Sequence, residues 1–263
     1  MTGANSQALE HGESSVMNNV RGHSNIVIAG PSPVSSPHAN CEYCKARSIS
    51  ICAALELDEL VALDQLARKN CFQPRETLFH EHDAANVFYN ITSGMVRLVK
   101  VLPDGRRTLI GFAMTGDFLG LSMADRHVYS GEALTDVSVC EFRRDGFSDL
   151  VDQYPRLLRR LHAFTGHELT IAQAQMAILG RRTAIEKVVI FLLTMRDRWS
   201  HVNGCNLLVV LPMSRMDIAD YLGLTVETIS RTFTQLVKQK LVVIVPNGVR
   251  LVDVGRLEAI AAI

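Results

Sequence analysis

Of the six cysteines in this chain, three fall in one short stretch as Cys41-x2-Cys44-x7-Cys52, while Cys71, Cys140 and Cys205 are scattered. Thiolates are soft ligands that suit iron–sulfur clusters and zinc alike. Three from one flexible segment can wrap a single metal centre if a fourth ligand arrives from elsewhere in the fold. Lys45 and Arg47 would partly offset the negative charge of such a centre, and Ile49 and Ile51 would limit solvent access. A thiol switch without metal is a further chemistry open to the same residues. Cys71 and Cys205 lack comparable neighbours and are expected to be ordinary core or surface residues. His11, His23 and His38 are irregularly spaced in a polar stretch and are expected to be solvated rather than ligands.

A second constellation lies towards the C-terminus, where Glu227, Ser230 and Arg231 stand at i, i+3 and i+4 and so share one face of a predicted helix. Arginine can donate two bonds to guanine O6 and N7, glutamate can accept from cytosine N4, and serine can bond to either kind of base edge or to phosphate. Lys238 and Lys240 follow as expected phosphate contacts. As a bare surface pair, Glu227 and Arg231 would add only about 0.2–0.5 kcal/mol to a helix.

The elements that must hold these residues are legible as changes of texture. Residues 1–38 are rich in Ser, Asn, Gly, His and Pro without a sustained period and are predicted to be a disordered tail, with the cysteine-rich segment following over 39–54. Leu55, Leu57, Leu60, Leu63 and Leu66 predict a short amphipathic helix running to about Arg68. Short apolar runs then predict strands: Thr77 to His80, Val87 to Thr92, Met95 to Leu102, Thr108 to Met114 and Ala133 to Phe142. Pro103-Asp104-Gly105 is a hairpin turn, and Ser93-Gly94 and Gly116-Asp117 mark two further corners. Many short strands at this spacing favour a small jelly-roll barrel over 55–154.

A long helix is predicted over 155–181, with Leu157, Leu161, Phe164, Ile171 and Ile178 at steps of three, four and seven. That stripe is expected to form a parallel dimer seam interrupted by Glu168 and Gln175, the alternative being that it packs on its own domain. The C-terminal domain, 182–263, opens with a helix from Thr183 to Trp199. Met216 to Leu222, a turn at Gly223-Leu224, and Val226 to Lys238 capped by Thr225 then read as a helix-turn-helix. Ala219, Leu222, Leu224, Ile229, Phe233 and Leu236 would lock its two helices together, and Leu241 to Val252, folded at Asn247-Gly248, reads as a small β wing. The fold class is therefore α+β: an N-terminal jelly-roll barrel, a long dimerisation helix and a C-terminal winged helix-turn-helix.

Composition excludes more than it identifies. Nearly half of the 263 residues are apolar (48%), enough for real cores. Lys plus Arg balance Asp plus Glu at 27 each, so any basic surface must be local. No run approaches the roughly 20 apolar residues of a membrane span, and a cytoplasmic location is expected. No nucleophile–base pair, phosphate-binding glycine loop or second cofactor motif is present, which argues against an enzyme.

The segment from Asp217 to Arg231, DIADYLGLTVETISR, resembles the recognition segment of the CRP/FNR superfamily, specifically its FNR branch. Phe88 to Gly94, Pro103 to Arg107 and Thr115 to Leu121 resemble that family's β-roll, so the similarity covers roughly residues 40–255. The resemblance implies a homodimeric transcription regulator that binds double-stranded DNA, works with RNA polymerase, and reads a palindrome with Val226, Glu227, Ser230 and Arg231. Valine at 226 implies an FNR-like TTGAT half-site. The family's cyclic AMP branch uses a Gly-Glu sequence followed by an Arg-Ser pair; Asp117 to Glu132 lacks that arrangement, so cyclic AMP is not expected as ligand. Val139-Cys140-Glu141-Phe142 resembles the strand that supplies the internal cysteine of FNR proteins. By that resemblance Cys41, Cys44, Cys52 and Cys140 would hold an oxygen-labile 4Fe-4S cluster, with the longer second spacing closer to rhizobial-type FNR proteins. Cluster assembly would then favour the DNA-binding dimer, and oxygen would reverse it.

Overall fold

The middle of the chain folds into eight strands: β1 (Ala67–Phe72), β2 (Thr77–Phe79), β3 (Val87–Ser93), β4 (Met95–Val101), β5 (Arg107–Met114), β6 (Phe118–Leu119), β7 (Ser130–Ala133) and β8 (Val137–Arg143). In this computed structural model, which describes residues 41–121, 124–204 and 207–262, they form two antiparallel sheets, β1-β8-β3-β6 and β2-β7-β4-β5. The expected tail over 1–38, its histidines and Cys205 lie outside the described residues. Leu78, Phe79, Tyr89, Ile91, Val96 and Val139 fill the space between the sheets. The corner from β3 into β4 depends on Gly94: its φ is +91°, and a Cβ there would stand 2.3 Å from the Asp136 carbonyl oxygen.

The first helix, α1 (Glu59–Leu66), is shorter than the leucine spacing predicts. The polar stretch after it becomes β1 because it pairs along its whole length with β8, from Ala67 opposite Phe142 to Phe72 opposite Val137. The apolar run from Ala133 to Phe142 divides into β7 and β8, which belong to different sheets. Helix α2 (Arg144–Gln153), unforeseen in the sequence, packs Phe147 and Leu150 into the core. The cysteine segment is not a flexible strap. It folds as two 3-10 turns, Cys41–Tyr43 and Ile51–Ala54, with Ala46, Ser50 and Ile51 fully buried.

Helix α3 (Pro155–Arg181) begins with proline at its first turn, where no backbone donor is lost. Of the residues expected to form a dimer seam, all but the half-buried Ile171 pack on their own chain. Leu157 and Leu161 are buried with Ile51, Phe147 and Leu150, Phe164 lies beside them, and Ile178 packs on the C-terminal core. The apolar face left open lies elsewhere on the helix: Leu158, Leu169 (59% exposed), Met176 (64% exposed) and Leu179, all within one sector at about 100° per residue. The three-four-seven spacing was real, but in an intramolecular core it carries the same signal as in a coiled coil.

The C-terminal domain comprises α4 (Ala184–Asn203), β9 (Leu208–Val210), α5 (Arg215–Leu222), α6 (Val226–Lys238), β10 (Val242–Val245), β11 (Gly248–Leu251) and α7 (Val254–Ala261). Thr183 and Glu186 form a capping box on α4. The wing gains a third strand, β9, too short to announce itself in sequence. This domain is seated on β4 and β5. Phe112 meets Tyr221 edge-on at 5.3 Å, and Arg97 donates to Asp217 at 2.9 Å while also pairing with Glu132. Asp220 accepts from the Leu109 amide at 2.7 Å and from the Thr108 hydroxyl. Arg198 on α4 pairs with Asp117 and donates to the Phe112 carbonyl at 2.8 Å.

Two outcomes test this packing by urea unfolding. Leu157→Ala should cost about 2–5 kcal/mol as a fully buried truncation, whereas Met176→Ala should stay within about 0.5 kcal/mol; the reverse order would overturn this assignment of buried and open faces. Asp217→Ala should cost about 1–2 kcal/mol at neutral pH, since its carboxylate accepts from the Ser214 amide and hydroxyl in the capping box of α5 and holds Arg97. Burial raises the Asp217 carboxyl, but the Ser214 hydroxyl, the Ser214 amide and Arg97 outweigh it and hold it below the usual value. A depressed carboxylate stabilises above its unfolded pKa, so the gap between parent and variant should close as pH falls below about 4, and a gap that persisted there would exclude the carboxylate as its source.

Candidate nucleic-acid interface and thiol site

The exposed face of α6 is set by the buried one. Ile229, Phe233 and Leu236 are buried against the domain core, and Val226 is half-buried beside them. Gly223 makes the turn from α5 with φ +61°, a left-handed conformation that favours glycine. The Thr225 hydroxyl accepts from the Thr228 amide at 3.2 Å, starting α6 at Val226. The Arg215 guanidinium lies over the Phe233 ring at 3.4 Å and pins α5 against α6 from inside.

Glu227, Ser230 and Arg231 consequently lie on the solvent side of α6. The Glu227 carboxyl is held below its usual value by its own backbone amide, the Thr225 hydroxyl and the Arg231 charge. Ser230 donates to the Val226 carbonyl at 2.9 Å, leaving its lone pairs outward. Thr234, Gln235, Lys238 and Gln239 line the same groove as Ser230 and Arg231. The sequence reading missed Thr234, Gln235 and Gln239, although extending the i, i+4 step from 230 and 231 reaches the first two. Lys240 is not on the helix: it occupies a left-handed turn, φ +57°, leading into the wing.

The other candidate site gathers residues far apart in sequence. Cys41 and Cys44 are half-buried, Cys52 and Cys140 buried, and all four thiols are free. They lie within electrostatic reach of one another: Cys52 and Cys140 oppose ionisation of Cys41, Cys44 opposes that of Cys52, and Cys52 and Cys44 oppose that of Cys140. Burial is the largest influence, pushing Cys41 and Cys140 up to about 12 and raising Cys52. Cys41 donates to Asp64 at 3.2 Å, and Asp64 also pairs with Lys69 at 3.0 Å. Lys69 and Asn90 flank Cys140 across the ladder, one on each neighbouring strand. Arg160 of α3 donates to the Ser50 and Ile49 carbonyls at 3.3 Å each, tying the cysteine segment to the long helix.

This donor set fits a bound cation. Burial opposes ionisation of Cys41, Cys52 and Cys140, and positive charge entering with the thiolates would offset it. Among the described residues no three Cys, His, Asp or Glu side chains converge tightly enough for a single metal ion. Ligands about 2.3 Å from one zinc would have to converge that tightly, whereas a cluster with iron at several corners holds its thiolates further apart. Of the expected neighbours, Arg47 eases ionisation of Cys52 and Ile51 is buried, but Lys45 is exposed; the cation facing Cys140 is Lys69, which the sequence did not single out. Cys71 is exposed and lies beside Ser138, apart from the four.

Inside the roll, His127 stacks on Phe79 at 4.2 Å with Tyr89 and Tyr129 around it, and Glu132 is committed to Arg97 and Arg107. Among the described residues no helix is long and apolar enough to cross a membrane.

Comparison with known proteins agrees with this architecture. Residues 69–154 match the cyclic nucleotide-binding domain family, and residues 211–242 match the crp family of bacterial regulatory proteins. The nitrogen fixation regulation protein FixK of Bradyrhizobium diazoefficiens is 45% identical over 222 residues, 84% of this chain and 94% of that one. The transcriptional activatory protein AadR of Rhodopseudomonas palustris is 46% identical over 223 residues, 84% of this chain and 93% of that one. The solved structure of FixK2 from Bradyrhizobium japonicum superposes with a TM-score of 0.68 at 37% identity, covering 75% of this chain and 98% of that one. On its β-roll, its helix-turn-helix and these relatives, the chain belongs to the CRP/FNR family of DNA-binding transcription regulators and is not an enzyme.

Proposed function

We propose that this regulator is a cytoplasmic homodimer that responds to oxygen through a 4Fe-4S cluster held by Cys41, Cys44, Cys52 and Cys140, and that it reads TTGAT-N4-ATCAA palindromes. The observation that carries the sensing part is the gathering of these four thiols, two buried and two half-buried, from a segment and a strand far apart in sequence. Bound there, a 4Fe-4S cluster would supply an oxygen-labile crosslink between the cysteine segment and β8. The chain's own residues do the rest: Arg160 and Ile51 join that segment to α3, and the open stripe Leu158, Leu169, Met176 and Leu179 meets its counterpart in a second copy. A cofactor shifts this equilibrium only as far as it binds the dimer better than the monomer. Cyclic AMP is not the ligand, since no Arg-Ser pair follows Gly131-Glu132 and aromatic rings pack inside the roll. RNA polymerase is the protein partner.

A cluster-free reading is favoured by one observation, the Cys41 thiol donating to Asp64, which satisfies a protonated thiol without metal. Purification under nitrogen separates the two. The cluster reading expects a brown protein with about four irons per chain that bleaches in air as it releases the duplex, and loss of colour in each Cys→Ser variant. A colourless protein that holds the duplex equally well in air would leave the regulator and remove the cluster.

On DNA, Glu227, Ser230 and Arg231 face the base edges, with Val226 beside them and Lys238 on phosphate. Arg231→Ala should weaken palindrome binding by about 1–3 kcal/mol and relax preference at one base pair. Lys238→Ala should weaken all sequences alike and reduce the salt slope by about one. Fluorescence anisotropy against single-base variants of the duplex distinguishes them. Met176→Glu should sediment as a folded monomer with the parent's helix content and lose the palindrome; a dimer persisting in this variant would place the contact on another face.

A further inference from the structure

Asn90 is buried to 1% exposure in the middle of β3. Its neighbours Tyr89 and Ile91 face the interior of the roll, so alternation turns Asn90 to the other side, where Phe88 joins the core that holds Cys52 and Cys140. There its Nδ2 lies 4.0 Å from the Cys52 sulfur, its partner across the ladder is Cys140, and its Oδ1 has no hydrogen-bond partner among the described residues. As a packing residue this carboxamide is a poor choice. An unmatched buried polar group costs about 1–3 kcal/mol, and an apolar side chain of the same size would avoid the cost. As a donor to sulfur it makes sense: amide N–H groups aimed at thiolate or sulfide stabilise negative charge there and so set cluster potential and lability.

We infer that Asn90 tunes the proposed cluster, its side-chain amide donating to the sulfur of Cys52 or to an adjacent inorganic sulfide and holding the bound form against oxidation. The inference rests on the cluster reading above. Removing the donor makes electron loss easier, so the midpoint potential falls and attack by oxygen accelerates.

The test compares Asn90→Leu with the parent, both full-length and reconstituted anaerobically with iron and sulfide. The variant should take up the same iron per chain, bleach several-fold faster in air and show a lower midpoint potential. Its metal-free form should melt at or above the temperature of the metal-free parent, because it loses an orphaned polar group. Asn90→Ala, which demands no extra space, should bleach as fast and serves if leucine crowds the strand. A brown parent and equally brown variants with the same bleaching rate and potential would overturn the role of Asn90 alone. A parent that takes up no iron would overturn the cluster reading and this inference with it, and the parent rather than the variant would reveal it.

Discussion

One apolar cluster joins the parts of this molecule that must communicate. Ile51, Cys52, Leu60, Leu63, Phe118, Cys140, Phe142, Phe147, Leu150, Leu157 and Leu161 pack together, so the cysteine segment, β8, α1, α2 and the start of α3 share a single core. Interiors packed to crystal density respond to small displacements, because no void absorbs them. Two of the four candidate ligands are members of that core rather than appendages to it. Any change in the chemistry of Cys52 or Cys140 is therefore felt by the side chains that seat the long helix.

Helix α3 is also the element that reaches the second core. Its N-terminal half supplies Leu157 and Leu161 to the first cluster, and Ile178 near its other end packs against the cluster formed by β4, β5 and the C-terminal domain. Its 27 residues span about 40 Å at 1.5 Å per residue. The C-terminal domain is further held by Arg97–Asp217, by Asp220 on the Leu109 amide and by Gln175 of α3 on the Tyr221 carbonyl. Asp217, Asp220 and Tyr221 all lie on α5, the helix that supports α6. The orientation of α6 is thus fixed by contacts that the roll and the long helix both make with one short helix.

The local syntax of the helix-turn-helix was fully legible. Gly223, the Thr225 cap and the apolar spacing of α6 act over a few residues, and each is a property of residue type. Legibility fell where pairing rather than propensity decides. Ala67–Phe72, with the sequence ARKNCF, has no strand signature and is a strand because β8 lies beside it. The long helix shows a different limit: its apolar period is plain in the sequence, but period does not say whether the covering surface is a partner or the chain itself. At the thiol site, types and spacing revealed the four cysteines, while Asn90, Asp64 and Lys69 reach them only through strand register and helix packing. Register between distant strands is written in no local pattern.

The charges around the thiols favour two discrete arrangements over a continuum. With protonated thiols, Cys41 donates to Asp64, and Asp64 is shared with Lys69. When Cys41 ionises, Asp64 loses a donor and gains a neighbouring negative charge, leaving Lys69 as the cation between them and Cys140. Burial makes that second state costly for the thiols alone, since the thiols raise one another as well. A cation that enters with several thiolates removes the penalty at all of them together, so partial ligation gains little. Such a site would fill or empty as a unit, and two of its members, Cys52 and Cys140, belong to the core under α3.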